Sequence, residues 1–260
     1  MKCINFTTEE EFITNTDYYS GGFESKLYRY SIDGTEILIK KYYETGQINL
    51  DKIIAVSNLK TDGLLGPSDL VSIDNKIVGF SMDFKKGYYP IITQKNDLTD
   101  KQKYDLIIAL KKILLSLRAK NCIYGDLNLK NVITNGSEVC LCDAVNVKID
   151  DFHFDEVSSS MRKYIERTGT TDGIDFYMLN LLTIWLFNDL NYDDIIDSIE
   201  LAVMNTFNKQ SPDYIVGVTD SMDSLDLCCD VFLSDKPCRS LLIDLMDGKL
   251  KENEEKSPRL

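Results

Sequence analysis

The sequence predicts an α+β fold with two lobes, a small antiparallel β-sheet lobe followed by a larger helical lobe. Residues 15–84 contain β-rich runs separated by tight turns, a pattern typical of antiparallel hairpins. Beyond Leu98, apolar residues recur at helical spacing. We therefore expect residues 1–84 to form the first lobe and residues 85–248 the second. Residues 249–260 are charged and contain proline, so we expect a disordered tail there.

Two hairpins and one helix are expected in the first lobe. The first hairpin joins β-rich runs on either side of Asp33-Gly34, a dipeptide that strongly indicates a two-residue hairpin turn. The second hairpin surrounds Asp74-Asn75, and the apolar residues within residues 48–59 predict a short helix between the two. Together these elements make a small antiparallel sheet with one helix.

A long helix and a third hairpin are expected at the start of the second lobe. Thr99-Asp-Lys-Gln102 has the form of a capping box, and the apolar residues that follow keep helical spacing up to Lys120. Asn135-Gly136 then predicts a turn between two short strands. Residues 144–173 are polar, and we expect them to be irregular.

Further helices are expected to complete the second lobe. The segment Asp175–Phe187 is almost entirely apolar, as in a helix that is buried on every side. Two more helices are expected over residues 193–207 and 240–246.

Composition and charge narrow the class of protein and its partners. The chain of 260 residues is 43% hydrophobic and 27% charged, which is ordinary for a soluble globular protein. It has no run of 18 apolar residues and no secretion signal, and its seven scattered cysteines lack CxxC spacing, so we expect a reduced, cytoplasmic protein. The net charge of −13 should repel nucleic acids and anionic membranes, so neither is an expected partner. The oligomeric state stays open.

The strongest chemical signal is the segment Tyr124-Gly-Asp-Leu-Asn-Leu-Lys-Asn131, followed twelve residues later by Asp143. It places Asp126 and Asn131 five residues apart on one predicted loop, and Asp143 at the end of the third hairpin. Mg²⁺ prefers oxygen ligands, and a carboxylate can accept or orient the proton of a hydroxyl group. Each residue alone also suits a turn or a strand end. Their combination favours a site that holds a Mg-nucleotide and orients a hydroxyl for attack on its γ-phosphate.

A lysine in the first lobe fits the same chemistry. Lys40 ends the apolar run Ile37-Leu-Ile-Lys40, so an ammonium group pointing inward there needs an anionic partner such as a phosphate. The neighbouring Lys41 points to the opposite face of the strand, so the strand register decides between the two. The alternative is an edge lysine that keeps the strand soluble.

These motifs resemble those of the protein kinase-like family over roughly residues 18–246. The resemblance implies a two-lobed protein kinase-like fold and an enzyme that uses ATP and Mg²⁺. It implies that Asp126 is the catalytic base and that Lys40 contacts the α- and β-phosphates. Asn131 and Asp143 would bind the metal.

The resemblance also assigns roles to residues of the first lobe. Ser20-Gly-Gly-Phe-Glu-Ser25 stands where the family has its glycine-rich loop, so Gly21 and Gly22 would cover the phosphates. The family holds its lysine with a glutamate on the helix of this lobe, and Asp51 matches that position best here. An aspartate in the first turn of a helix is, however, also favoured by the helix dipole.

The connector between the lobes resembles the family's hinge. Met82 would be the gatekeeper, and the backbone of Asp83 and Lys85 would bind adenine. In the catalytic loop, Lys130 would reach the γ-phosphate. Asp175 would be the aspartate at the start of a helix that supports the backbone of the catalytic loop.

The chain departs from the family's pattern at several positions. Tyr124 replaces the usual His, and Gly125 replaces the Arg that precedes the catalytic Asp. Without that Arg a phosphorylated activation loop has no obvious partner, so we expect activity not to depend on phosphorylation there. The residues after Asp143 are Ala144 and Val145 instead of Phe and Gly, and Val145 should restrict the backbone.

Several functions remain compatible with the sequence. Only one long helix fits between Met82 and Asp126, as in protein kinases, which favours a protein substrate with a Ser or Thr hydroxyl. Gly-Asp-Leu also resembles the loop of aminoglycoside and choline phosphotransferases, so a small-molecule acceptor is the alternative. The degraded glycine-rich loop leaves a third possibility, a pseudokinase that acts as a binding module.

Overall fold

The computed structural model describes residues 1–155, 157–171 and 173–187. Within these ranges, a six-stranded sheet is followed by a part in which helices dominate. The α+β fold class predicted from the sequence is therefore confirmed.

Three predictions concern the end of the chain, which lies outside the described residues. They are the helices over residues 193–207 and 240–246 and the tail over residues 249–260.

The sheet of the first lobe has the spatial order β1-β5-β6-β4-β3-β2. In chain order its strands are β1 (Cys3–Phe6), β2 (Asp17–Gly21), β3 (Ser25–Ile32), β4 (Thr35–Tyr42), β5 (Leu70–Ile73) and β6 (Lys76–Asp83). Neighbouring strands are antiparallel except for β1 and β5, which run parallel with Cys3 opposite Leu70. The predicted sheet is thus extended by one parallel edge strand.

The strand β1 and the helix that follows it, α1 (Glu9–Asn15), were not predicted. The sequence signal of β1 is weak because the strand is only four residues long and buries only Phe6. Phe6 packs edge-to-face against Phe12 of α1, with ring centroids 5.1 Å apart. This contact fastens the start of the chain onto the sheet.

Both hairpin turns of the first lobe have the backbone conformation that their sequences predict. Asp33 and Gly34 have φ values of 50° and 78°, and Asp74 and Asn75 have values of 51° and 61°. Positive φ at both central residues defines the type I′ turn, which matches the twist of antiparallel strands. The predicted helix is also present as α2 (Leu50–Asn58), which buries Ile53 and Val56.

The second lobe, as far as it is described, combines helices with short strands. Its elements are β7 (Tyr89–Pro90), α3 (Ile91–Gln94), α4 (Asp100–Arg118), β8 (Cys122–Ile123), β9 (Val132–Thr134), β10 (Val139–Leu141), β11 (Lys148–Ile149), α5 (Ser159–Thr168) and α6 (Ile174–Phe187). The predicted capping box is formed, because Thr99 and Gln102 bond reciprocally at the start of α4. The strands form the sheets β10-β9-β7 and β11-β8.

The prediction that residues 144–173 are irregular was wrong. They contain β11 and the helix α5, whose first turn is capped by the side chain of Ser158. In α5 the residues Met161 and Tyr164 are buried. They form a narrow apolar stripe in an otherwise polar stretch, so the hydrophobic pattern of this helix is weak. Helix α6 is confirmed: its buried apolar side chains pack with those of α4 in one continuous core that also contains Leu127 and Leu129.

Candidate active site

The loop between β8 and β9 is held from below by the first turn of α6. The carboxylate of Asp175 accepts hydrogen bonds from the backbone N–H groups of Tyr124 at 2.9 Å and Gly125 at 2.6 Å. Asp175 is buried, which raises its pKa to about 6, although the two backbone hydrogen bonds favour the charged form. One carboxylate therefore fixes the backbone immediately before Asp126.

Asp126 sits in a network of amide groups from its own loop. Asn131 Nδ2 donates to Asp126 Oδ2 at 2.6 Å, and Asn128 Nδ2 donates to Asp126 Oδ1 at 3.0 Å. Asn128 Oδ1 in turn accepts from the backbone N–H groups of Lys130 and Asn131. These bonds order a loop that has no regular structure and fix the direction of the Asp126 carboxylate.

Asn131 and Asp143 are brought together by the β9–β10 hairpin. The backbone N–H of Cys142 donates to the carbonyl of Asn131 at 2.9 Å, so the residue before Asp143 lies beside Asn131. The carbonyl of Cys142 also accepts a short hydrogen bond from the hydroxyl of Tyr124. Tyr124 is therefore fully buried and connects the loop to Cys142, the residue before Asp143.

Asp143 has an unusual backbone and a partner in the other lobe. Its φ of 56° and ψ of 43° lie in the left-handed region, which aspartate tolerates better than most residues. Its Oδ1 accepts from Lys40 Nζ at 2.6 Å. Val145, two residues on, is buried in an apolar cluster that includes Ile53 and Met82 of the first lobe. The Asp143 segment is thus anchored to the first lobe by one ion pair and one apolar contact.

The strand register resolves which lysine of β4 points inward. Lys40 is buried and contacts both Asp143 and Glu24, with Nζ 3.0 Å from Glu24 Oε1. Lys41 instead pairs with Glu9 on the other face. Burial alone would lower the pKa of Lys40, but Asp143, Tyr42 and Glu24 together outweigh this effect and hold the pKa above its ordinary value.

The expected pair between Lys40 and Asp51 is not formed. Asp51 is exposed on α2, and the ion-pair partners of Lys40 in the described part of the chain are Glu24 and Asp143. The residue of α2 that turns inward is the next one, Lys52. A step of one residue rotates a side chain by about 100° around a helix, and the apolar stripe containing Ile53 sets that rotation.

Glu24 is a site residue that the sequence reasoning missed. It lies in the turn between β2 and β3, where the backbone N–H of Gly22 donates to the carbonyl of Ser25 at 2.9 Å. Gly21 ends β2, opposite Lys26. The turn folds back over β4 and brings Glu24 to Lys40, a contact between residues sixteen apart that no local sequence pattern indicates.

The residues proposed for adenine binding lie at the end of β6. Met82 is buried in an apolar cluster with Phe80 and Val145. Asp83, the last residue of β6, is exposed, and its Oδ2 lies 3.9 Å from Lys85 Nζ. Lys130, proposed for the γ-phosphate, has an exposed side chain.

The absence of an arginine before Asp126 has a structural cause. Gly125 has a φ of 72°, and a Cβ atom there would lie 2.3 Å from the ring of Phe154. A side chain at this position would therefore be strained by the backbone conformation and would require the ring of Phe154 to move.

No protein-family model and no curated protein matches the chain. Among solved structures, it is similar to the Cydia pomonella Granulovirus kinase, PK-1, with a TM-score of 0.56. The match covers 73% of this chain and 80% of that chain at 15% sequence identity. The chain therefore has a protein kinase-like fold, as the sequence predicted.

None of the helices described is both long enough and apolar enough to cross a membrane. The described part of the chain contains no group of three or more His, Cys, Asp or Glu side chains that could hold a metal ion. A metal site near Asp143 would therefore need oxygen atoms from a bound ligand or from water in addition to protein ligands.

Proposed function

We propose that the protein is a phosphotransferase that uses Mg-ATP, and that it transfers the γ-phosphate to a Ser or Thr hydroxyl of a protein substrate. The observation that carries this proposal is the convergence of Lys40 and Asp143 from opposite lobes beside the Asp126–Asn131 network. A cation, a metal-ligating carboxylate and a candidate base then border one cleft.

The residues at the cleft fit a Mg-nucleotide. The amide nitrogen of Asn131 donates to Asp126, which leaves its oxygen as the atom that would ligand a metal. Asp143 would supply a second oxygen. Two protein ligands suffice for Mg²⁺ beside phosphates, because this ion usually keeps several waters and takes phosphate oxygens. When bound, Mg²⁺ would neutralise charge on the phosphates of ATP.

The protein's own residues would act on the phosphates and the acceptor as follows. Lys40 holds the α- and β-phosphates, in exchange for one of its present carboxylate partners. The acceptor hydroxyl oxygen forms a bond to the γ-phosphorus while the bond to the β–γ bridging oxygen breaks and ADP leaves. Asp126 accepts the hydroxyl proton. Asn128 and Asn131 fix the orientation of the Asp126 carboxylate through their hydrogen bonds.

The proposal is tested by following the γ-phosphate. The protein is incubated with γ-labelled Mg-ATP and a cell extract, and the protein and small-molecule fractions are separated. Variants are Asp126→Ala and, as a matched control, Asp105→Ala on the exposed face of α4. Label on protein that is lost only in Asp126→Ala supports the proposal. Label confined to small molecules would instead identify a small-molecule phosphotransferase, and no label with any fraction would favour a binding module.

A further inference from the structure

A buried cation on α2 lies apart from the residues assigned above. Lys52 is 1% exposed, and its Nζ contacts the carbonyl oxygen of His153 at 2.7 Å and Asp155 Oδ2 at 2.8 Å. A buried ammonium group is tolerated only when its charge and its N–H donors are satisfied. The inward-facing charge of α2 is therefore directed at the segment after Asp143 and not at Lys40.

That segment, residues 144–155, is held together by hydrogen bonds between its own residues. The backbone N–H of Asp155 donates to Asn146 Oδ1 at 2.9 Å. Between these residues, Ile149 and Phe152 exchange both backbone hydrogen bonds in a tight turn. The ends of the 144–155 segment are thus joined by a hydrogen bond, and Asp155 is connected through it to the turn directly after Asp143.

The 144–155 segment touches the site on two further sides. Val145 belongs to the same buried apolar cluster as Ile53 of α2, and the ring of Phe154 lies against Gly125, next to Asp126. Lys52 and Ile53 are adjacent on α2, so the ion pair and the apolar cluster fasten the same segment to the same helix. Displacing the segment would disturb both Asp143 and the loop before Asp126.

In protein kinases a segment at this place is commonly ordered by phosphorylation, through new pairs between basic side chains and the phosphate. Here the residue before Asp126 is Gly125 and not an arginine. The carboxylate of Asp155 already forms an ion pair with Lys52 in the unmodified chain. We propose that Lys52 and Asp155 are positioning residues that hold the 144–155 segment, and with it Asp143, in place without phosphorylation. This inference rests on the proposed function for its catalytic consequence.

The test combines a structural readout with an activity readout. Asp155→Asn removes the charge and keeps the shape, and Asp155 is about half exposed, with 54% side-chain accessibility, so the variant should fold. Asp151→Asn, an exposed aspartate of the same segment, is the matched control. Hydrogen exchange of peptides covering residues 146–155 is measured on full-length, phosphatase-treated protein. The rate of phosphate transfer is measured on the same samples.

Asp155→Asn is expected to increase exchange in residues 146–155 about tenfold and to lower kcat to a similar degree, because the buried Lys52 loses its charged partner. Exchange in α4 should stay unchanged. Asp151→Asn should behave as wild type. Lys52→Arg should retain more of the protection and activity than Lys52→Met, since it keeps the charge.

Two results would overturn the inference. The first is unchanged exchange of residues 146–155 in Asp155→Asn. The second is loss of transfer when the wild-type protein is phosphatase-treated, because the segment would then require a phosphate. A wild-type protein that transfers nothing before or after treatment, but in which Asp155→Asn increases exchange, contradicts the proposed function and supports the role of Lys52 and Asp155 in holding the segment.

Discussion

Lys40 and Asp143 form an ion pair across the two lobes, with Lys40 Nζ 2.6 Å from Asp143 Oδ1 although 103 positions separate them in the chain. Glu24 contacts the same ammonium group at 3.0 Å. One ammonium group and two carboxylates have a net charge of −1 together. This charge repels a phosphate, so an incoming phosphate must displace one of the carboxylates. Glu24, on a turn of the first lobe, is the partner that can move without disturbing Asp143.

Glu24→Gln should therefore strengthen nucleotide binding. Removing the carboxylate frees Lys40 for phosphate, and because Glu24 is about one-third exposed the gain should be modest, about threefold in the Kd for Mg-ATP. Calorimetric titration measures it. Glu9→Gln, which removes the corresponding partner of Lys41, should leave the Kd unchanged. Weaker binding by Glu24→Gln would mean that Glu24 holds Lys40 in its working position.

The two lysines of β4 should differ sharply in their importance. Lys40→Met is expected to lower kcat/KM for ATP by about 100-fold, the order of magnitude for removing one charge-stabilising donor from an active site. Lys41→Met, on the other face of the strand, should change it less than threefold (about the effect of one exposed ion pair). Steady-state transfer assays decide the matter, and equal losses in both variants would refute the assigned register.

Gly79→Ala should destabilise the first lobe, because Gly79 lies on β6 directly beside the backbone of Lys40 on β4. A Cβ atom at Gly79 would lie 1.8 Å from the carbonyl oxygen of Lys40, so the two strands would have to separate. The free energy of unfolding should fall by at least about 2 kcal/mol. Gly66→Ala is the control, because its Cβ has ordinary contacts at 3.8 Å. Urea denaturation of the two variants compares them, and equal stability would contradict the close approach of β4 and β6.

Protonation of Asp175 should limit activity at acidic pH. The pKa of Asp175 is raised from 3.8 to about 6 by burial, so the group protonates as the pH falls through about 6 and one charged acceptor for Tyr124 and Gly125 is lost. Stability changes in the opposite direction: a raised pKa means that the folded state binds the proton more tightly, so this group's contribution to stability is full below pH 3.8 and is lost as the pH rises through about 6.

The measurement is the ratio of wild-type to Asp175→Asn activity against pH, since the titration of ATP cancels in the ratio. The ratio should fall to half its plateau near pH 6. A ratio that stays constant between pH 5 and pH 7 (about one unit on either side of that pKa) would show that the charge of Asp175 does not support the loop.

Features with a local cause were predictable from the sequence. The turn at Asp33-Gly34 and the capping box at Thr99 depend on a few neighbouring residues, and both are present. The order of the two lobes follows from the change of hydrophobic period near Leu98. The placement of Asp126 beside Asn131 follows from their short spacing within one loop.

Features that depend on distant partners were not predictable. The parallel pairing of β1 with β5 joins residues that lie far apart in the chain, so no local turn sequence indicates it. The preference for Lys52 over Asp51 as the inward residue of α2 depends on the rotation of a short helix. Glu24 reaches Lys40 only because its turn folds over β4. Each of these contacts is set by tertiary packing and not by local propensity.

The most direct test of the account is the affinity for ATP with and without Mg²⁺, measured by calorimetry on the wild type and on Asp143→Ala. The wild type should bind ATP more tightly when Mg²⁺ is present, and Asp143→Ala should lose that difference. A wild-type protein that binds ATP equally well with Mg²⁺ and with a chelator, or that does not bind ATP, would contradict the assignment of Lys40 and Asp143 to a Mg-nucleotide site.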